Sequence, residues 1–242
     1  MENKSFSKID KYIKNNVKES VLEEYKNNSV IRGLIQLVPY GALVDNMITT
    51  SYNNILINRS KTFYSELNSG DIILTPEIID SEDFLHAYFS TYKAALYTRQ
   101  RNKIRFFARL LRSGLIEQSI VNINEYEDYQ KILDELSYRE ICILYILYDF
   151  EKNTPKLENE NALQLSTKFW NSFLEKVSSD FKKGREEIPG LINRLSRSGC
   201  YTEFTGGYLS YTGGQGQTTG LFHKLVELIK FKKKDLWDTN NF

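Results

Sequence analysis

The stretch that decides the fold is Leu191-Ile192-Asn193-Arg194-Leu195-Ser196-Arg197-Ser198-Gly199-Cys200-Tyr201-Thr202-Glu203-Phe204. Its first half spaces Leu191, Ile192 and Leu195, together with Ile188, three or four residues apart, which predicts a helix over roughly 185–198 ending at Ser198-Gly199. Its second half alternates as a strand does. A glycine-rich turn follows, with Gly206, Gly207, Gly213, Gly214 and Gly216 around Tyr208-Leu209-Ser210-Tyr211. Tight hairpin turns need positive φ, which glycine supplies without steric cost.

Working outward, two more helices precede this one, over 137–150 and 163–178, and an amphipathic helix from Leu221 to Phe231 follows. Ser137-Tyr138-Arg139-Glu140 reads as a capping box at the start of the first. Helix, helix, helix, hairpin, helix is the helix-turn-helix plan with a wing. A plain helical bundle with a surface hairpin is the alternative.

Upstream, apolar residues at Phe6, Ile9, Ile13, Val17, Val21 and Tyr25 predict an amphipathic helix over 5–28. Val30 to Ile48 is the most apolar stretch. Arg32, Gln36, Asp45 and Asn46 interrupt it and Pro39-Tyr40-Gly41 splits it, which favours a buried helical hairpin over a bilayer span. Helical period continues from Thr50 to Leu67, and Asp71-Ile72-Ile73-Leu74 is a short strand or connector. Thr75-Pro76 offers a helix start, with Ser81 a second cap. Two helices joined near Arg99–Asn102 fill Glu82 to Leu115, with Gly114 placed to end the second. The expected fold is therefore mainly α, an N-terminal helical bundle over 1–125 followed by a winged-helix-like module with a β-hairpin over 126–236 and a tail over 237–242.

Composition narrows the function. With 32 Lys and Arg against 31 Asp and Glu, the chain carries a net charge of only +1. Any attraction to nucleic acid must come from a local patch. Two such patches stand out. Arg185, Asn193, Arg194 and Arg197 project from the third helix in a DNA-binding winged helix, with Lys232, Lys233 and Lys234 in the tail. Residues 181–242 hold ten Lys or Arg and six Asp or Glu, so this module is the positive one. The alternative patch is Arg99, Arg101, Lys103, Arg105, Arg109 and Arg112, a run without an acidic residue. It either tracks phosphates or forms a solvated helix face balanced by the acidic segment 121–136.

Enzymatic and metal signatures are weak. Cys142 and Cys200 make neither a disulfide framework nor a metal motif. His86 and His223 are the only histidines and neither sits in a nucleophile motif. Gly213-Gly214-Gln215-Gly216-Gln217-Thr218-Thr219-Gly220 lacks the lysine that a nucleotide P-loop requires, so the wing reading is preferred. No catalytic residue, metal or cofactor is expected. The polar N-terminus has no signal-peptide core, which suggests the cytoplasm.

The chain resembles the bacterial abortive-infection alpha helical proteins. The resemblance rests on Val38-Pro39-Tyr40-Gly41-Ala42-Leu43-Val44-Asp45, on Thr98-Arg99 with Lys103 to Leu111, on Leu136 to Leu144, and on Leu191 to Cys200 leading to Gly220-Leu221-Phe222. It covers most of 30–232 through short apolar motifs. It departs at Thr218-Thr219, where proline is usual, and in its glycine-richer wing. The resemblance implies a non-enzymatic bacterial accessory protein of anti-phage defence, acting through a protein partner, a second copy of itself or nucleic acid. Two alternatives remain open: a winged-helix DNA-binding transcriptional regulator, and a membrane-active effector using the hairpin 30–48.

Overall fold

A computed structural model describes residues 18–38, 50–69, 78, 81–117, 122–205 and 214–236. The described chain is mainly helical with one small antiparallel two-stranded sheet, and it forms two compact units, 1–130 and 131–242. Much of the N-terminal helix expected over 5–28 and the second half of the apolar hairpin lie outside the described residues. So do Asp71–Leu74, Thr75-Pro76 and Tyr208–Tyr211.

In the N-terminal unit, residues 18–24 are helical and α1 spans Ser29–Leu37. Asn28 caps α1 by accepting from the Ile31 amide. The long helix α2 spans Thr50–Leu67, α3 Glu82–Tyr97 and α4 Arg101–Leu111. Ser81 caps α3, accepting from the Phe84 amide.

The core of this unit is aromatic and wired by hydroxyls. Phe63, Tyr64, Tyr88 and Tyr92 are buried within 5.3–6.1 Å ring contacts. A buried phenol must find a partner or lose its hydration uncompensated. Tyr88 donates to Leu34 O and meets the Tyr64 hydroxyl, both at 2.7 Å, while Tyr92 meets Ser60 at 2.7 Å. Tyr88→Phe deletes the link between α3 and α1 and strands Leu34 O. Urea unfolding is expected to show a loss of about 2 kcal/mol, from the cost of an unmatched buried polar group.

Gly114 does not end α4. The helix widens instead into a π-helical turn, Arg112–Ile116, in which the Glu117 amide donates to Arg112 O at 2.7 Å. The wide turn buries Arg112, Ser113 and Gly114 in succession, which leaves no exposed terminus at Gly114 for a cap to solvate.

Helix α5 spans Ile123–Glu135 and runs across the division between the units. In the C-terminal unit, α6 is Tyr138–Asn153, α7 Ala162–Phe181, and α8 Ile188–Asn193 followed by a 3-10 turn, Arg194–Ser198. The capping box at α6 is formed: Ser137 Oγ accepts from the Glu140 amide, and Glu140 Oε2 accepts from the Ser137 amide at 2.7 Å. A polar loop, 154–161, separates α6 from α7.

The third helix is shorter and tighter than its apolar spacing predicts. Pro189 sits in its first turn and residues 185–187 form a turn before it. Gly199 closes the 3-10 turn at φ 70°, a conformation costly for any residue with a Cβ.

Strand β1, Tyr201–Glu203, pairs antiparallel with β2, Gly216–Thr218, in the register Tyr201 opposite Thr218 and Glu203 opposite Gly216. A side chain at Gly216 would run into Thr202 O, so the hairpin closes only with glycine there. Helix α9, Gly220–Leu228, and a 3-10 turn, Lys233–Leu236, complete the unit. Its core joins Ile141, Leu144, Leu147, Phe173, Leu195 and Phe222, all fully buried.

Candidate functional site

Half of the basic run turns inward. Lys103, Arg109 and Arg112 are buried, each under one tenth exposed. Lys103 lies over the Phe107 ring and Arg109 over the Phe106 ring, so their aliphatic stems pack while their charges are held by partners. Glu66, near the end of α2, is the carboxylate that holds Arg109. Arg109 Nε donates to Glu66 Oε1 at 2.7 Å, and Arg105 Nε stands 3.7 Å from Oε2. Arg112 donates to Glu66 O and Ser69 Oγ and pairs with Glu117.

The other half, Arg99, Arg101 and Arg105, opens onto a cleft of about 810 Å³ in the N-terminal unit. α2 supplies the facing wall. Ile55, Asn58, Arg59, Thr62, Ser65 and Glu66 recur three or four residues apart and so share one helix face. The opposite face of α2 buries Leu56, Phe63 and Leu67 against the core. Five cations (Arg59, Lys61, Arg99, Arg101 and Arg105) line the cleft against two carboxylates, Glu24 and Glu66.

These charges are differently engaged. Lys61 pairs with Glu24 at 2.6 Å. Arg59 donates to Leu96 O at 2.6 Å, satisfying a carbonyl at the end of α3. Arg99 and Arg101 are exposed and make no ion pair among the described residues. The α2 wall was hidden in the sequence because a polar helical stripe ordinarily faces water.

The third-helix patch has a different fate. Arg197 Nη2 donates to both carboxylate oxygens of Glu140 at 3.1 Å and to Glu135 O at 3.2 Å. Arg194 Nε lies 3.4 Å from Glu140 Oε1. Glu140 itself is buried, so one carboxylate holds two arginines and caps α6. Arg185, in the turn before α8, donates to Asn171 Oδ1 at 3.0 Å, and Asn193 is exposed at the end of α8. In the tail, Lys233 pairs with Asp149 at 3.1 Å, while Lys232 and Lys234 are exposed. The buried Asp235 accepts from the Lys232 amide and holds that turn.

A third cluster was invisible to sequence reading because its members are far apart in the chain. Glu151 accepts from the Thr218 amide at 2.7 Å and from the Thr218 hydroxyl, whose oxygen is 2.8 Å from His223 Nε2. Burial raises the Glu151 carboxyl from its ordinary 4.5 to about 7, against the opposing hydrogen bonds from Thr218. Burial also lowers His223. The cluster pins β2 to α6 and α9.

His86 is exposed, 3.4 Å from Glu127. Both cysteines are buried free thiols, and burial pushes Cys142 up to about 12 and raises Cys200, so neither is primed as a thiolate. Among the described residues no group of three His, Cys, Asp or Glu could hold a metal ion, and no helix is long and apolar enough to cross a membrane.

No protein-family model, curated protein or solved structure matches the chain.

Proposed function

We propose that the chain is a non-enzymatic bacterial accessory protein that acts by binding, with phage defence the setting its resemblance suggests. In this reading the N-terminal cleft receives an anionic ligand and the C-terminal unit is a winged-helix-like module that docks onto a protein. The winged reading draws support from the order α6, α7, α8, hairpin, α9. The observation that carries the proposal is the placement of uncommitted positive charge. Arg194 and Arg197 are committed to Glu140, whereas Arg99 and Arg101 face a cleft with five cations and two carboxylates. An arginine must give up its carboxylate before it can take a phosphate, and that exchange weakens the third helix as a DNA reader.

Retention on a heparin column at low salt tests the assignment. Arg99→Ala with Arg101→Ala is expected to elute at clearly lower salt than the parent chain. Arg194→Ala with Arg197→Ala should keep the parent elution while losing about 3 kcal/mol of stability, because the two substitutions together leave the buried Glu140 carboxylate without its cations. The reverse pattern, with loss of duplex-DNA binding in the second variant, would replace this proposal with the DNA-binding regulator. Unchanged elution of both variants would remove the cleft from the function.

A further inference from the structure

Three features meet where α4 begins. Its first turn contains Arg101 and Lys103 and no acidic residue, and Arg99 precedes it. Gln100 at the cap position makes no side-chain hydrogen bond to that turn. Cations at the positive end of a helix dipole cost stability unless an anion offsets them. That same turn, through Arg101, Ile104 and Arg105, forms one wall of the cleft, and Arg59 and Lys61 approach from α2. The positive charge thus converges on a concavity. It does not continue along α4, because Lys103, Arg109 and Arg112 are buried. A polymer backbone needs a continued row of contacts, which the buried half of the run withholds.

The cleft also has an apolar part. Ile55, 43% exposed, lines it together with Asn58, Thr62 and Ser65. Its volume of about 810 Å³ falls within the range of small-ligand sites.

We propose that this cleft binds a small organic phosphate of nucleotide size. The phosphates sit against Arg99, Arg101 and the first turn of α4, where guanidinium forks and helix amides both favour an anion. The organic body lies along Ile55, with Asn58, Thr62 and Ser65 as hydrogen-bonding groups. The inference rests on the proposed reading of the cleft as the anion-binding surface and adds the class of ligand.

Calorimetric titration of the full chain at low salt, without magnesium, decides it, with adenosine triphosphate, inorganic pyrophosphate and a short single-stranded oligonucleotide as probes. Adenosine triphosphate is expected to bind, and Arg99→Ala with Arg101→Ala to weaken it at least about 10-fold, as loss of charge-assisted hydrogen bonds requires. Pyrophosphate should bind more weakly than adenosine triphosphate. Both arginines are exposed, so the variant keeps its fold, which circular dichroism verifies. Equal binding of pyrophosphate would overturn the organic-body assignment. Triphosphate binding that the variant leaves unchanged would overturn the site. Oligonucleotide binding that is lost in the variant, with no binding of the triphosphate, would overturn the small-ligand inference and leave the anion-binding reading intact. Failure of all three probes to bind would overturn both.

Discussion

Glu66→Ala is expected to destabilise the N-terminal unit by about 3 kcal/mol in urea unfolding, because it breaks a buried ion pair. Its partner there is Arg109, whose side chain is 7% exposed and whose Nε rests 2.7 Å from the Glu66 carboxylate. Arg109 also packs over Phe106, so it cannot swing to water without opening the core. The pair is not fully sealed, since Glu66 is 17% exposed, which places the estimate at the low end of the measured range for such pairs. Glu66→Gln keeps the acceptor oxygen and is expected to recover part of the loss. A change below about 1 kcal/mol in Glu66→Ala would mean that the pair behaves as a surface pair.

Glu151→Gln is expected to stabilise the C-terminal unit by about 2 kcal/mol near pH 8 and to have almost no effect near pH 4. The sign follows from burial, which favours the neutral carboxyl and raises it from 4.5 to about 7. A group raised on folding contributes stability that is present below its ordinary value and lost as pH climbs through the raised one. The loss therefore falls between about pH 4.5 and 7. The full shift would correspond to more than 2 kcal/mol, and the figure is discounted for the partial exposure of the side chain. Glutamine keeps the hydrogen bonds: its carbonyl accepts from the Thr218 amide, its NH2 donates to the Thr218 oxygen, and the Thr218 hydroxyl turns to donate to His223 Nε2. His223, lowered by burial, acts in the opposite sense as pH falls. It is common to both proteins and cancels in their difference. Thermal unfolding of the two across this pH range checks the prediction, and parallel curves would refute it.

The contrast between these two glutamates explains how much could be read from the residues in order. Local signals were legible. The Ser137–Glu140 box, the Ser81 cap and the break between α3 and α4 each depend on residues within four positions, and all three appear as expected. The mainly helical architecture and the antiparallel strand pair also follow from such signals. What escaped was the direction of each charged side chain. Arg101 and Lys103 look alike in a basic run, yet one is exposed and the other buried. The difference is the helical rotation between them set against neighbours from α2, 43 residues away in the case of Arg109 and Glu66. Gly114 misled for a related reason: glycine signals a helix end only where the chain must turn out to solvent. Here tertiary packing holds a wider turn in the core.

One side chain in the C-terminal unit has a consequence for how the unit comes apart. Arg197 reaches the last residue of α5, the carboxylate that caps α6 and, through its own backbone, the 3-10 turn after α8. Glu140 serves the cap and the guanidinium with the same oxygens. Fraying of the first turn of α6 releases the arginine, and departure of the arginine leaves that turn with a buried charge. Three segments that are separate in sequence thus share one opening event, and their amides belong to a single cooperative unit of hydrogen exchange.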